Sequence, residues 1–217
     1  MRFFGIVCGL QSEADVIAKA GRDLPIQIAI SGASTERAAQ QARAFAEKGA
    51  RALISIGVAG GLSPALAPGA VVAASFIMTE GGESYRAASS LGLSEAPLLG
   101  VDRIISSADD KAALYARTGA AALDMESHAV AAIAARCALP MLAIRAIADP
   151  YDRVLPPLAL EAVDEKGRTR LAATLFGLVK NPGALPGLMA LGRDSAAAHK
   201  ALEAALPNAL RRAVDLF

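Results

Sequence analysis

Short apolar runs alternate with amphipathic stretches along most of this chain. Phe3 to Cys8, Pro25 to Ile30, Ala52 to Ile56, Val71 to Met78, Ala121 to Met125 and Met141 to Ile147 are short and apolar, and read as strands. Between them, Ser34 to Lys48 carries Ala38, Ala42, Phe45 and Ala46 on one face, with Gly49 just past its end as a stop signal. Glu13 to Lys19, Asp109 to Arg117 and the alanine-rich Glu126 to Cys137 predict further helices. The strand from Ala52 is expected to open into a loop at Gly57-Val58-Ala59-Gly60-Gly61, and the Gly- and Ser-rich Thr79 to Leu93 predicts another. Beyond Pro157 the pattern is helical, over Lys166 to Lys180 and Ser195 to Leu216, interrupted by Pro182, Gly183, Pro186 and Gly187. Strands alternating with helices imply an α/β fold: one domain over residues 1–217, a mostly parallel or mixed twisted central sheet flanked by helices, and a helical C-terminal part.

Composition narrows the function classes. The chain has 217 residues, 54% of them hydrophobic, enough for one domain with a real core. Its 22 basic and 21 acidic residues are interspersed and Trp is absent, so no nucleic-acid partner is expected. Cys8 and Cys137 each sit in an apolar run and read as reduced core thiols. Arg2 and the run to Leu10 precede no small-residue cleavage site, so no secretory leader is expected. The longest uncharged run, Ala52 to Thr79, holds Pro64 and Pro68 among several glycines and reads as strand, loop and strand rather than a membrane span. A soluble, cytoplasmic protein follows as the expectation. The sequence contains no Walker A motif, no G-x-S-x-G elbow and no H-E-x-x-H, and the glycine loop lacks dinucleotide spacing. With two histidines and no clustered cysteines, neither a metal nor a cofactor is expected.

Candidate chemistry sits at the ends of two apolar runs, Leu123-Asp124-Met125-Glu126-Ser127-His128 and Arg145-Ala146-Ile147-Ala148-Asp149. Two carboxylates in different environments, Glu126 and Asp149, are what cleavage of a glycosidic bond requires, one neutral to donate a proton and one charged to hold the sugar. Each has a plainer reading. Glu126 suits the first turn of a helix, Asp149 before Pro150 suits a turn, and Glu13 suits a helix start. His128 reads as a packing residue, and Arg145 as the partner of a carboxylate.

Gly57-Val58-Ala59-Gly60-Gly61-Leu62, Asp124-Met125-Glu126 and Arg145-Ala146-Ile147-Ala148-Asp149, in this order and spacing, resemble the nucleoside phosphorylase and methylthioadenosine/adenosylhomocysteine nucleosidase family. Gly9-Leu10-Gln11-Ser12-Glu13 resembles the loop after that family's first strand. Met125-Glu126-Ser127-His128, Leu155-Pro156-Pro157, Gly167-Arg168 and Asn181-Pro182-Gly183 resemble a narrower branch, the hopanoid-associated phosphorylases.

The resemblance implies release of adenine from an adenine nucleoside, adenosylhopane in that branch. Asp149 would protonate the base, and its pKa should be raised by burial at the strand end. Glu126 would accept hydrogen bonds from the ribose hydroxyls as a carboxylate, Met125 would pack on the sugar, and Val58, Gly60 and Ile104 would complete the binding surface. Glu13 would orient or deprotonate water. The resemblance also implies a homo-oligomer, dimer or hexamer.

The nucleophile is the open point. Phosphorylases of this kind carry arginine where Glu13 stands, and Arg and Ser near the glycine loop where this chain has Ser55 and Val58. A carboxylate facing a phosphate dianion repels it, which favours water. Against this, Gly9 and the turn Ser31-Gly32-Ala33-Ser34-Thr35 with Arg37 offer a candidate anion site, with Gly32, Ser34, Thr35 and Arg37 its donors and phosphate a candidate co-substrate. The segment from Met78 to Leu98 looks short, leaving the 5′ end of the nucleoside uncovered and open to a long apolar tail. Leu185 to Leu191 offers a peripheral membrane or subunit contact, with core packing the plainer reading. The alternatives kept are a nucleosidase for methylthioadenosine or adenosylhomocysteine, and a non-catalytic nucleoside-binding protein on the same fold.

Overall fold

The chain's computed structural model describes residues 2–88, 90–155, 183 and 185–217. The predicted helix Lys166 to Lys180 and the motifs at Pro156-Pro157, Gly167-Arg168 and Asn181-Pro182 lie outside the described residues.

An eight-stranded sheet carries the fold, in the order β2-β1-β3-β7-β6-β4-β5, with β8 paired to both β3 and β4. The strands are β1 (Phe4–Cys8), β2 (Ile26–Ile30), β3 (Ala52–Gly61), β4 (Val71–Thr79), β5 (Ser84–Arg86), β6 (Ser94–Gly100), β7 (Ala122–Asp124) and β8 (Met141–Asp149). Helices α1 (Gln11–Ala20), α2 (Thr35–Glu47), α3 (Ala108–Thr118), α4 (Ser127–Arg136) and α5 (Leu185–Leu216) surround them. β1, β2, β3 and β8 run parallel, as do β4, β6 and β7, while β3–β7, β4–β5 and β4–β8 are antiparallel. The fold is thus α/β with a mixed sheet and a C-terminal helix, as the sequence predicts. Successive pairings β3–β8, β8–β4, β4–β6, β6–β7 and β7–β3 also close a ring, through the short contact of Gly60 and Gly61 with Leu123 and Ala122.

Both faces of the central strands are covered, which is why they read as continuous apolar runs. Along β8, Met141, Ala143 and Ile147 join one core with Ala38, Ala42 and Phe45 of α2 and Val130, Ile133 and Ala134 of α4. Leu142, Ile144 and Ala146 face the opposite core, built from Ile17 of α1 and Leu202, Leu206 and Leu210 of α5. A smaller cluster of Leu62, Leu99, Ile105, Leu114 and Leu123 packs beneath α3.

Several expected boundaries differ. The glycine run is no loop: β3 continues through it to Gly61, because pairing with β8 extends to Asp149 across a register shift at Ala59/Gly60. The expected loop Thr79 to Leu93 contains β5, and β6 follows it although Ser94, Glu95 and Pro97 hide its strand character. α5 starts ten residues before Ser195 and absorbs Pro186 and Gly187, since a proline in the first turn lacks only an N–H that has no partner there. Cys8 is buried, but Cys137 is exposed at the C-terminal end of α4, so only the first is a core thiol. Among the described residues, no helix is long and apolar enough to cross a membrane.

Candidate active site

A cleft opens where β1, β3 and β8 end, with the end of β7 beside them. Gly9, Glu13, Val58, Gly60, Ile104, Met125, Glu126 and Asp149, named from sequence, all line it. The sheet thus gathers at one place residues spread from position 9 to position 149.

Glu13 stands in the first turn of α1 and is 2% exposed. Its Oε2 accepts hydrogen bonds from the backbone N–H groups of Gly9 and Leu10, both at 2.8 Å, and its Oε1 accepts one from Val58 N–H at 2.7 Å. Burial pushes its pKa up, against the pull of these hydrogen bonds and of Arg145. Such close seating requires glycine nearby. A Cβ on Gly57 would stand 2.7 Å from Glu13 Oε1, and one on Gly9 would stand 2.9 Å from Glu126 Oε1.

Arg145, 1% exposed, is the cation at the centre of the acidic group. Its Nε lies 3.1 Å from Asp124 Oδ2 and its Nη2 4.0 Å from Glu126 Oε2, while Nη2 also donates to Ser55 Oγ at 2.6 Å. Asp124 in turn caps α4, its Oδ1 accepting from the N–H groups of Glu126 and Ser127 at 2.8 and 2.6 Å. Burial opposes its charge, but Arg145 and the Ser127 hydrogen bonds outweigh burial and hold the carboxyl below its ordinary range.

One guanidinium cannot neutralise Glu13, Asp124 and Glu126 together. Burial raises Glu126 as it does Glu13: the Glu126 pKa is pushed up to about 8 by burial and then by Asp124, with Arg145 opposing. Glu126 is therefore largely protonated near neutral pH in the unliganded protein, where the sequence reading expects a carboxylate.

Asp149 ends β8 and is 8% exposed, its Oδ1 turned toward Gly60, where a Cβ would lie 3.1 Å away. Burial raises its pKa to about 6, against the pull of Lys111, as its place at the strand end leads one to expect. Lys111 is fully buried, and its Nζ donates to Asp149 Oδ2 at 2.5 Å. Sequence reading misses this lysine. The available signal was its position three residues before Leu114, on the inward face of α3.

The candidate anion site is not assembled. Of Ser31 to Thr35 only Ala33 lines the cleft. Ser34 Oγ accepts from Arg37 N–H as the N-cap of α2, Thr35 Oγ1 donates to Met125 O at 3.0 Å, and Arg37 Nη2 turns to Gly32 O at 3.4 Å. Gly9 N–H is taken by Glu13. His128 pairs with Asp102, 3.1 Å away, and stands outside the cleft lining. Among the described residues, the segment from Met78 to Leu98 supplies no cleft residue; the outer wall comes instead from Arg103, Ile104, Ile105 and Leu155, and Leu155 N–H donates to Ser106 O at 2.9 Å.

A sequence profile described as the phosphorylase superfamily matches residues 16–97 and 87–180. In fold the chain is similar to the futalosine hydrolase of Helicobacter pylori strain 26695, with 15% identity over 97% of this chain and 98% of that one, at a TM-score of 0.73. It is also similar to the 5′-methylthioadenosine/S-adenosylhomocysteine nucleosidase of Neisseria meningitidis in complex with methylthio-immucillin-A, with 16% identity over 95% and 98% of the two chains and a TM-score of 0.68. A Helicobacter pylori nucleosidase mutant of the same kind, with 5′-methylthioadenosine in its active site, gives 15% identity over 94% and 98% and a TM-score of 0.67. No curated protein matches the chain.

Proposed function

Since the chain belongs to the phosphorylase superfamily, we propose that it hydrolyses the N-glycosidic bond of an adenine nucleoside. Asp149 gives its proton to N7 of the base as the bond from the ribose C1′ to N9 breaks and its electrons pass to the base. Water forms the new bond to C1′ and yields a proton to Glu13. Protonated Glu126 donates to one ribose hydroxyl and accepts from its neighbour, and Met125 packs on the sugar.

The observation that carries water over phosphate is the seating of Glu13. Three backbone N–H groups that would suit an anion already hold its carboxylate, and Glu126 and Asp124 stand nearby. An entering phosphate would have to displace a buried carboxylate and approach that of Asp124. Incubation with adenosine derivatives, with and without phosphate, tests this directly. Free reducing sugar at a phosphate-independent rate is expected, and sugar 1-phosphate formed only when phosphate is present would overturn the hydrolytic reading.

For the 5′ substituent we favour an apolar group. Support comes from the cleft's outer wall, where Ile104 is 45% exposed beside Leu155, and from exposed Leu185 and Met189 at the start of α5, which suit contact with a lipid surface. Adenosylhopane is the large substrate of this kind and 5′-methylthioadenosine the small one. Strong preference for the small nucleoside in a direct comparison of turnover would sink the lipid-linked choice.

A further inference from the structure

Lys111 has no part in the scheme above, yet it is the most completely enclosed charged group near the cleft. It is 0% exposed, and its ammonium donates to Asp149 Oδ2 at 2.5 Å, to Pro150 O at 2.9 Å and to Arg153 O at 3.2 Å. Those contacts use all three of its N–H bonds. α3 thereby grips the last residue of β8 and the turn that follows it. From the other side Arg153 is held by Asp194 of α5, with its Nε at 3.1 Å and Nη2 at 2.7 Å from Asp194 Oδ2. One oxygen of Asp149 is fixed on the lysine, and the other faces Gly60 and the cleft.

We propose that Lys111 is the positioning residue of the leaving-group acid: it fixes which Asp149 oxygen meets the base and stabilises the carboxylate left behind when the proton departs. The proposal rests on the hydrolytic reading above for its role, but the ion pair itself is testable without substrate. As the proton passes from Asp149 to the base nitrogen, negative charge grows on the carboxyl, 2.5 Å from an ammonium on a fully buried side chain. The attraction is therefore stronger in the transition state than in the ground state, and so accelerates the step rather than merely aiding binding. The charged groups around Asp149 are Lys111 from α3, Arg153 from the turn and Asp194 from α5. Of these, only Lys111 makes a hydrogen bond to it among the described residues.

Two measurements test this. In protein labelled with 13C at the aspartate carboxyls, the signal lost in Asp149→Asn reports Asp149, which is expected to titrate near 6 in the wild type. In Lys111→Gln, which keeps donors for the two carbonyls but removes the charge, the midpoint should rise by about one unit or more. The maximal rate of base release at low pH should fall about tenfold or more, with its high-pH limb displaced to higher pH and KM little changed. Lys111→Arg should restore most of the rate. An unmoved Asp149 midpoint in Lys111→Gln overturns the proposal, as does a rate loss with no displacement of the pH limb. If Lys111→Gln does not fold, the wild type alone decides. The 15N signal of the Lys111 ammonium should step at the Asp149 midpoint and lose that step in Asp149→Asn, and a Lys111 signal indifferent to pH there overturns the proposal. A protein that releases no base from any nucleoside, yet shows the Lys111 signal stepping at the Asp149 midpoint, refutes the hydrolytic reading while supporting the pairing.

Discussion

The carboxyl groups around the cleft differ in what their protons do, and each difference has a measurable consequence. Asp149→Asn keeps shape and neutrality but removes the acidic proton, so base release should drop by about 10²- to 10⁴-fold while nucleoside binding, followed calorimetrically, survives. Release at the wild-type rate would mean that a group other than Asp149 is the acid. For Glu126 the folded-state pKa of about 8 lies above its ordinary 4.5. A raised acid binds its proton more tightly folded than unfolded, so its contribution to stability is full below pH about 4.5 and is lost as pH climbs through about 8. The unliganded protein should therefore lose stability between these limits, by an amount on the order of a few kcal/mol. Glu126→Gln, which mimics the protonated form, should flatten that dependence in denaturant titrations across the same range. A wild-type stability that rises with pH over this interval would contradict the burial of the three carboxyls around one arginine. Glu126 and Asp149 were legible from sequence because each ends an apolar run. The protonation of Glu126 was not, because it depends on burial in the folded cleft and on Glu13 arriving from α1 beside Asp124.

β3 shows why an element can be half legible. Its first half, Ala52 to Ile56, is apolar and buried on both faces, the signature of a central strand. Its second half is written in glycines because side chains from α1 and β8 lie close against it, and composition alone reads glycines as a loop. Close approach has a direct test in Gly57→Ala. The new methyl would meet Glu13 Oε1 at 2.7 Å, and Glu13, held by three N–H groups from two elements, has little room to withdraw. We expect a loss of about 1–3 kcal/mol in stability and, on the hydrolytic proposal, a larger loss of turnover, because a displaced Glu13 could no longer take the proton of the attacking water. Equal stability with unchanged turnover would mean that Glu13 seats itself elsewhere without consequence. β6 was missed for the opposite reason: Ser94 and Glu95 at its exposed start mask the buried Leu98, Leu99 and Gly100 that follow.

At the scale of the whole molecule, the sequence conveys the alternation of strands and helices and the order of the carboxylates, but not the closure of the ring. That closure depends on two residue pairs between β3 and β7, too few to leave a pattern, and it is what brings Asp124 and Glu126 against β1 and α1. The same closure gives the cleft its electrostatic character, since one buried arginine serves Glu13, Asp124 and Glu126. A ligand bearing positive charge at the sugar position and adenine at the base position complements such a cleft, whereas inorganic phosphate opposes it. Any ligand that binds only the folded state raises its stability by mass action, about 2.7 kcal/mol at one hundred times its Kd. For a chain of this length that corresponds to an increase of roughly 5–10 °C in Tm. Methylthio-immucillin-A at such an excess should therefore shift thermal unfolding upward, and phosphate should leave it in place beyond what sulfate at equal ionic strength does. A shift produced by phosphate and abolished by Ser34→Ala or Arg37→Ala would instead place an anion at the start of α2. It would also return phosphate as the nucleophile.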